Sequence, residues 1–198
     1  MAPSLKKLIQ AYYNWRQRLL PRLRHPRTLP LAKFKAQFFA RPEHQWMQED
    51  RTVLRLIDFL WDIFPIALRA QLPKELIFAY ASGNLACSMA CSAQRQIVLI
   101  FPNLIKILHT ASPERGLAVI GHELAHLILQ HHQRKISPWA AQLAADQLVI
   151  VMGLGEALQE VIADFAPPWQ AQIRIEKIAA ALNTKRSRQV ASVNKATL

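Results

Sequence analysis

The sequence predicts an α+β protein that is mostly helical, with one small β-sheet and a basic amphipathic helix at its N-terminus. Long apolar segments at helical spacing fill most of the second half of the chain, whereas residues 76–81 and 96–101 have the composition of strands. Apolar residues make up 52% of the 198 residues, so the chain can bury a substantial core. This composition excludes an intrinsically disordered protein.

The charges divide the chain into three parts. Residues 1–41 carry ten Lys and Arg and no acidic residue, whereas residues 42–173 carry nine basic and twelve acidic residues. From Arg174 onward there are six basic residues and one acidic residue. We therefore predict a basic arm and linker over residues 1–41, a folded domain over 42–182 and a basic flexible tail over 183–198.

The arm begins with a predicted amphipathic helix, and four prolines between residues 21 and 42 then indicate a linker. The apolar residues of this helix lie at helical spacing: Leu5, Leu8, Ile9, Tyr12, Trp15 and Leu19. A basic helix without acids favours an anionic partner, for which we expect a membrane surface, with nucleic acid as the less favoured alternative. The N-terminus lacks the apolar block of a secretory signal, so we expect an intracellular protein, cytoplasmic or peripherally membrane-associated, with organelle import as an alternative.

The predicted elements of the domain follow in order along the chain. A helix ended by Pro65 precedes the two strands, and a short helix follows them. Ser112-Pro113 and Ser137-Pro138 each place an N-cap serine before a proline at the first helical position, which predicts the start of a long apolar helix. The predicted helices cover about 43–64, 102–111, 113–131, 138–152, 156–165 and 169–182.

Two histidines stand four residues apart in the first of these long helices. The segment GHELAHLIL places His122 and His126 on one helical face, with Glu123 at its edge. This is the H-E-x-x-H arrangement, in which two histidines bind Zn²⁺ and the glutamate takes a proton from a zinc-bound water. Because the flanking residues are apolar nearly all round the helix, the three polar side chains are expected to be buried. The alternative is a core helix in which a histidine and the glutamate hydrogen-bond each other.

The wider segment resembles a known group of enzymes, the zinc-dependent gluzincin peptidases related to the CAAX prenyl protease, HtpX and the mitochondrial OMA protease. The resemblance covers about residues 76–160 and rests on GNLAC, with Asn84 in place, followed by QIVLIF, NLIKIL and SPERGLAVIGHELAHLILQH. It implies a zincin-like peptidase domain, a zinc cofactor and a polypeptide substrate. Its most specific part is the HELAH core with its flanks.

The same resemblance implies a Glu-x-x-x-Asp pair on a later helix, in which the glutamate is the third zinc ligand and the aspartate orients a ligating histidine. The matching segment here is QLAAD, with Gln142 in the place of the glutamate and Asp146 in the place of the aspartate. Only about six residues connect the two helices, so they are expected to pack antiparallel with Asp146 near His122. The alternative is a polar pair that bonds across the helix hairpin.

The other candidate groups carry weaker signals. Cys87 and Cys91 lie in a segment of small residues, which favours tight packing over a metal or redox site. His131 follows His122 by nine positions, about half a turn round a continuous helix, so it is not expected to share a metal ion with the histidine pair.

The sequence therefore predicts a zinc-dependent metalloendopeptidase. His122 and His126 would bind zinc, Glu123 would be the catalytic base and acid, and Gln142 or Asp146 would complete the site, Asp146 either as a ligand or as the residue that orients a ligand. The alternative is a catalytically weak or inactive pseudopeptidase that acts as an interaction protein at a membrane or on nucleic acid. Glu123 favours the enzyme, whereas Gln142 favours the pseudopeptidase.

Overall fold

The computed structural model describes residues 29–92 and 94–196. The predicted N-terminal amphipathic helix lies outside the described residues. Within the described part, helices surround one small sheet, which is the mostly helical α+β class that the sequence predicted. The helices before the sheet are α1 (Leu31–Phe39), α2 (Gln45–Glu49), α3 (Arg51–Ile63) and α4 (Ile66–Arg69). The strands are β1 (Glu75–Tyr80), β2 (Ala86–Ala90) and β3 (Arg95–Ile100), followed by α5 (Pro102–Leu108), α6 (Glu114–Ile128), α7 (Pro138–Val151), α8 (Gly155–Phe165) and α9 (Pro168–Ala196).

Helix α1 lies in the segment that the prolines indicated as a linker. Its Phe38 is only 3% exposed and belongs to the core. The buried His44 holds this helix to the sheet, because its Nδ1 lies 2.6 Å from the Phe38 carbonyl oxygen and its Nε2 accepts from the Phe78 N–H at 2.8 Å. Since Nε2 is the acceptor, Nδ1 carries the proton and donates it. The predicted boundary of the arm at residue 41 stays a prediction.

The single helix predicted over 43–64 is interrupted at Asp50. The Asp50 carboxylate accepts from the backbone N–H groups of Thr52 and Val53, at 3.0 and 3.1 Å, and so caps the start of α3. Two helices therefore replace one, because a short polar side chain competes successfully for the backbone donors.

The sheet has the strand order β1-β3-β2, with β1 parallel and β2 antiparallel to the central β3. The two predicted strands correspond to β1 and β3. The additional strand β2 pairs Ala86 with Ile100 and Ala90 with Gln96. Its small residues have little β-propensity of their own, so pairing with β3 decides its conformation.

Helix α6 is the central helix of the domain, because eleven of its fifteen residues are buried. It packs against β2, α5, α7 and α8. The capping prediction for α7 is confirmed, since Ser137 Oγ accepts from the Ala140 N–H at 3.2 Å. The prediction for α6 is wrong, because the helix begins at Glu114 after Pro113, without a side-chain cap.

The last helix is longer than predicted, since α9 continues beyond residue 182 to Ala196. The division of the chain at residue 182 stays a prediction. Over the residues that the structure describes, none of the helices combines the length and apolar character needed to cross a lipid bilayer.

Candidate metal centre

His122 and His126 lie on the same face of α6, as their spacing predicted. Their Nε2 atoms are 3.0 Å apart, and their ring centroids are separated by 4.7 Å. Burial, followed by the neighbouring imidazoles of His122 and His131, lowers the pKa of His126 to about 3. His126 is therefore neutral near pH 7, and the Nε2 atom of a neutral imidazole can offer its lone pair to a cation.

Gln142 on α7 supplies the third atom of this group. Its Oε1 lies 2.8 Å from His122 Nε2, so His122 Nε2 is the common neighbour of the other two atoms. Tetrahedral zinc with bonds of ~2.05 Å separates its ligand atoms by roughly 3.3 Å, so the two measured separations are slightly shorter than a zinc site requires. The histidine pair fits zinc, whereas the amide is not one of the usual zinc ligands. Consistently, no group of three His, Cys, Asp or Glu suited to a metal ion occurs among the described residues.

Asp146 lies one turn after Gln142 and is 1% exposed. Its Oδ1 is 3.1 Å from His122 Nδ1, which is an ion-pair distance, although the two atoms are not aligned as a hydrogen bond. Burial alone would raise the pKa of Asp146, but its contacts with His122 and Arg174 outweigh burial and lower the pKa. Asp146 thus faces the ring nitrogen that points away from His126 and Gln142.

Arg174 on α9 is the partner that sequence reasoning missed. It donates from Nε to Asp146 Oδ2 at 2.8 Å and from Nη2 to Oδ1 at 2.6 Å, and only 8% of the residue is exposed. This bidentate pairing compensates the charge of the buried Asp146 carboxylate. Ala171 and Ile178, which flank it at helical spacing, are also buried, so an arginine within the apolar stripe of α9 was the available signal.

Glu123 lies next to His122 on α6 and meets β2, an edge strand of the sheet. Its Oε2 accepts a hydrogen bond from Ser88 Oγ on β2 at 2.8 Å. Burial raises the pKa of Glu123, whereas the nearby His122 and the Ser88 bond oppose this shift. No local pattern connects Ser88 with Glu123, because 35 residues and an unpredicted strand separate them along the chain.

His131 is closer to the histidine pair than the helical-wheel estimate allowed. Helix α6 ends at Ile128, and Gln130 adopts a left-handed conformation with φ of 54°. This reversal brings His131 Nδ1 to 2.7 Å from His126 Nδ1. The contact is made to the nitrogen of His126 that points away from His122, so His131 lies beside the group of converging atoms and is not part of it.

The cysteines do not join this group of residues. Cys87 on β2 is half-buried, and Cys91 is exposed just after the strand. The expected tight packing is therefore wrong for Cys91.

Comparison with models of protein families gives a match. The model of peptidase family M48 matches residues 68–192, which is more than half of the chain. No match was found among curated proteins or among solved structures. The matched range contains the three strands, α6 with its histidine pair, and the supporting residues of α7 and α9. The chain therefore belongs to peptidase family M48, a family of zinc metallopeptidases.

Proposed function

We propose that this chain is a zinc-dependent endopeptidase of the gluzincin type related to the CAAX prenyl protease, HtpX and OMA protease group. His122 and His126 would hold the metal ion, and Gln142 would be its third contact. The observation that carries the proposal is the approach of three donor atoms, two Nε2 and one Oε1, at 2.8 and 3.0 Å beside a glutamate. Membership of family M48 supports the same reaction class.

Bound zinc would supply a Lewis acid that polarises the scissile carbonyl group and makes water a better nucleophile. Glu123 would accept a proton from the attacking water while the new C–O bond forms. It would then deliver that proton to the leaving amine as the C–N bond breaks. The hydroxyl group of Ser88 would hold the Glu123 carboxylate in place, since it donates to one of the two carboxylate oxygens.

Asp146 would act on His122 from the opposite side of the ring. A carboxylate beside Nδ1 keeps the proton on that nitrogen and leaves the Nε2 lone pair for the metal ion. The double hydrogen bond from Arg174 would fix the Asp146 carboxylate in this position. We therefore assign Asp146 as a positioning residue and not as a ligand.

The second candidate function is a pseudopeptidase on the same fold, and Gln142 is the observation that favours it. Two imidazoles and an amide leave the full +2 charge of zinc uncompensated, whereas a carboxylate in the place of Gln142 would cancel part of it. Such a protein would bind partners without cleaving them. Attachment of the basic arm, residues 1–41, to an anionic membrane surface stays a prediction for either function.

Zinc content and peptide hydrolysis together test the proposal. We expect about one zinc per chain after reconstitution near neutral pH, and none in the His126→Ala variant, together with cleavage of unfolded polypeptide by the wild-type protein. An absence of zinc from the reconstituted wild type would overturn the metal site. Zinc binding without any hydrolysis would favour the pseudopeptidase.

A further inference from the structure

A cleft opens directly beside His122 and Glu123 and extends away from them between α7, α8 and α9. It encloses about 640 Å³, which lies within the range of ligand-binding pockets. Its floor consists of buried apolar side chains from α6 and α8: Val119, Leu158, Val161 and Ile162. One end of the cleft is therefore polar and belongs to the candidate metal centre, whereas the remainder is lined mainly by apolar side chains.

Three aromatic side chains from three different helices form the mouth of this cleft. Trp139 lies in the first turn of α7, Phe165 ends α8 and Trp169 lies in the first turn of α9. The Trp139 and Trp169 rings lie 5.7 Å apart between centroids. Phe165 is 45% exposed and Trp169 is 62% exposed, so large apolar surfaces remain in contact with solvent at this position.

The apolar part of the cleft offers no charged partner to a charged ligand group. The two charged residues that line the cleft are Glu123, which lies at its polar end, and Arg174, which is already paired with Asp146. A charged side chain that entered the apolar part would lose its hydration without compensation. An apolar side chain would instead gain by removing its own surface and the aromatic rims from water.

We propose that this cleft binds a large apolar side chain of the polypeptide substrate, next to the bond that is cleaved, and that Trp139, Phe165 and Trp169 select it. This inference rests on the proposed peptidase function, because the polar end of the cleft is the proposed catalytic centre. Ala166 and Pro167 connect α8 to α9, which begins at Pro168, and the restricted backbones of the two prolines limit the arrangements that Phe165 and Trp169 can adopt. The ligand class is thus a polypeptide with an exposed Phe, Leu or similarly large apolar residue.

The test measures binding and so does not depend on turnover. Full-length protein carrying Glu123→Gln is titrated by calorimetry with short capped peptides that differ only in a central Phe, Leu, Ala or Asp. We expect the Phe and Leu peptides to bind at least about tenfold more tightly than the Ala peptide, and the Asp peptide to bind most weakly. Equal affinities for all four peptides would overturn the proposal, even if the wild-type protein hydrolyses protein substrates.

Substitutions at the mouth of the cleft locate the binding site. Trp139→Ala and Trp169→Ala are each expected to weaken the Phe peptide about tenfold and to leave the Ala peptide unchanged. Trp169→Leu keeps an apolar group and should lose less, which separates contact with the ligand from a folding defect. Phe59→Ala is the matched control, because Phe59 is an exposed aromatic residue, 51% accessible, that does not line the cleft. If Trp169→Ala weakened binding to anionic vesicles but not to peptides, the mouth would be a membrane contact and the proposal would be wrong.

Discussion

The two histidines of the candidate metal centre are supported by different chemistry. His122 is 7% exposed and faces Asp146, whose carboxylate carries two hydrogen bonds from Arg174. His126 is less buried, and among the residues that the structure describes its second ring nitrogen is paired with the imidazole of His131. The buried ion pair of Asp146 and Arg174 therefore supports His122, whereas the neutral imidazole of His131 supports His126.

This difference shows where the site depends on the rest of the fold. The support of His122 comes from α7 and α9, so the packing of three helices is needed to place it. The support of His126 comes from the turn that immediately follows α6. Disturbing the first support is expected to affect both folding and metal binding, whereas disturbing the second should affect metal binding alone.

The largest expected effect is on turnover and concerns Glu123, which belongs to neither of these two supports. Glu123→Gln keeps the size of the side chain and removes the group that accepts a proton. If the protein is an active peptidase, turnover should fall by about 10²–10⁴-fold while zinc affinity stays near the wild-type value. Peptide hydrolysis and zinc titration of the same preparation measure both quantities. Undiminished cleavage would exclude Glu123 from the reaction.

Loss of Asp146 comes next, and its effect has two parts. Asp146→Ala should weaken zinc binding at least ~10-fold, and it should destabilise the fold by about 3–5 kcal/mol, because Arg174 would remain buried without its partner. The double variant Asp146→Ala/Arg174→Met removes both charges. It should recover much of the stability, measured by urea unfolding, without recovering zinc affinity. Full recovery of zinc affinity would mean that Asp146 acts only through the stability of the fold.

Changes at Gln142 test the uncharged amide that contacts His122. Gln142→Glu introduces the carboxylate that the gluzincin pattern has at this place, so it should tighten zinc binding and raise any hydrolytic activity. Gln142→Ala should weaken zinc binding less than Asp146→Ala does. Zinc titrations of these variants rank the contributions. A greater loss in Gln142→Ala than in Asp146→Ala would mean that the amide contributes more to zinc affinity than the support of His122 does, and it would contradict this ranking.

The smallest effect is expected at His131. His131→Ala removes the ring beside His126 Nδ1 and should weaken zinc binding by up to about tenfold, without a change in unfolding free energy comparable to that of Asp146→Ala. His131→Asn retains a polar group near the same point and should restore most of the affinity. The neighbouring His132 is exposed and provides the control, since His132→Ala should have no effect. An equal loss in both alanine variants would argue against a specific contact.

Local patterns predicted the parts of the site that lie on α6 and on the next helix, α7. The four-residue spacing of His122 and His126 placed both rings on one face, and the short connection to α7 placed Asp146 beside His122. Both features depend only on helical geometry and on the length of a turn. The roles of Ser88 and Arg174 were not predicted, because an interaction between distant segments leaves no periodic signal in either of them.

The sequence by itself determined the helical class, the polar residues on the buried face of α6 and the divided charge of the chain. These properties follow from residue spacing and composition, which do not depend on the positions of other segments. The tertiary structure decided the existence of β2, the position of Ser88 against Glu123, the pairing of Arg174 with Asp146 and the return of His131 to His126. Each of these depends on backbone pairing, helix packing or a single left-handed residue, and the free energy of such contacts exists only when distant parts of the chain meet.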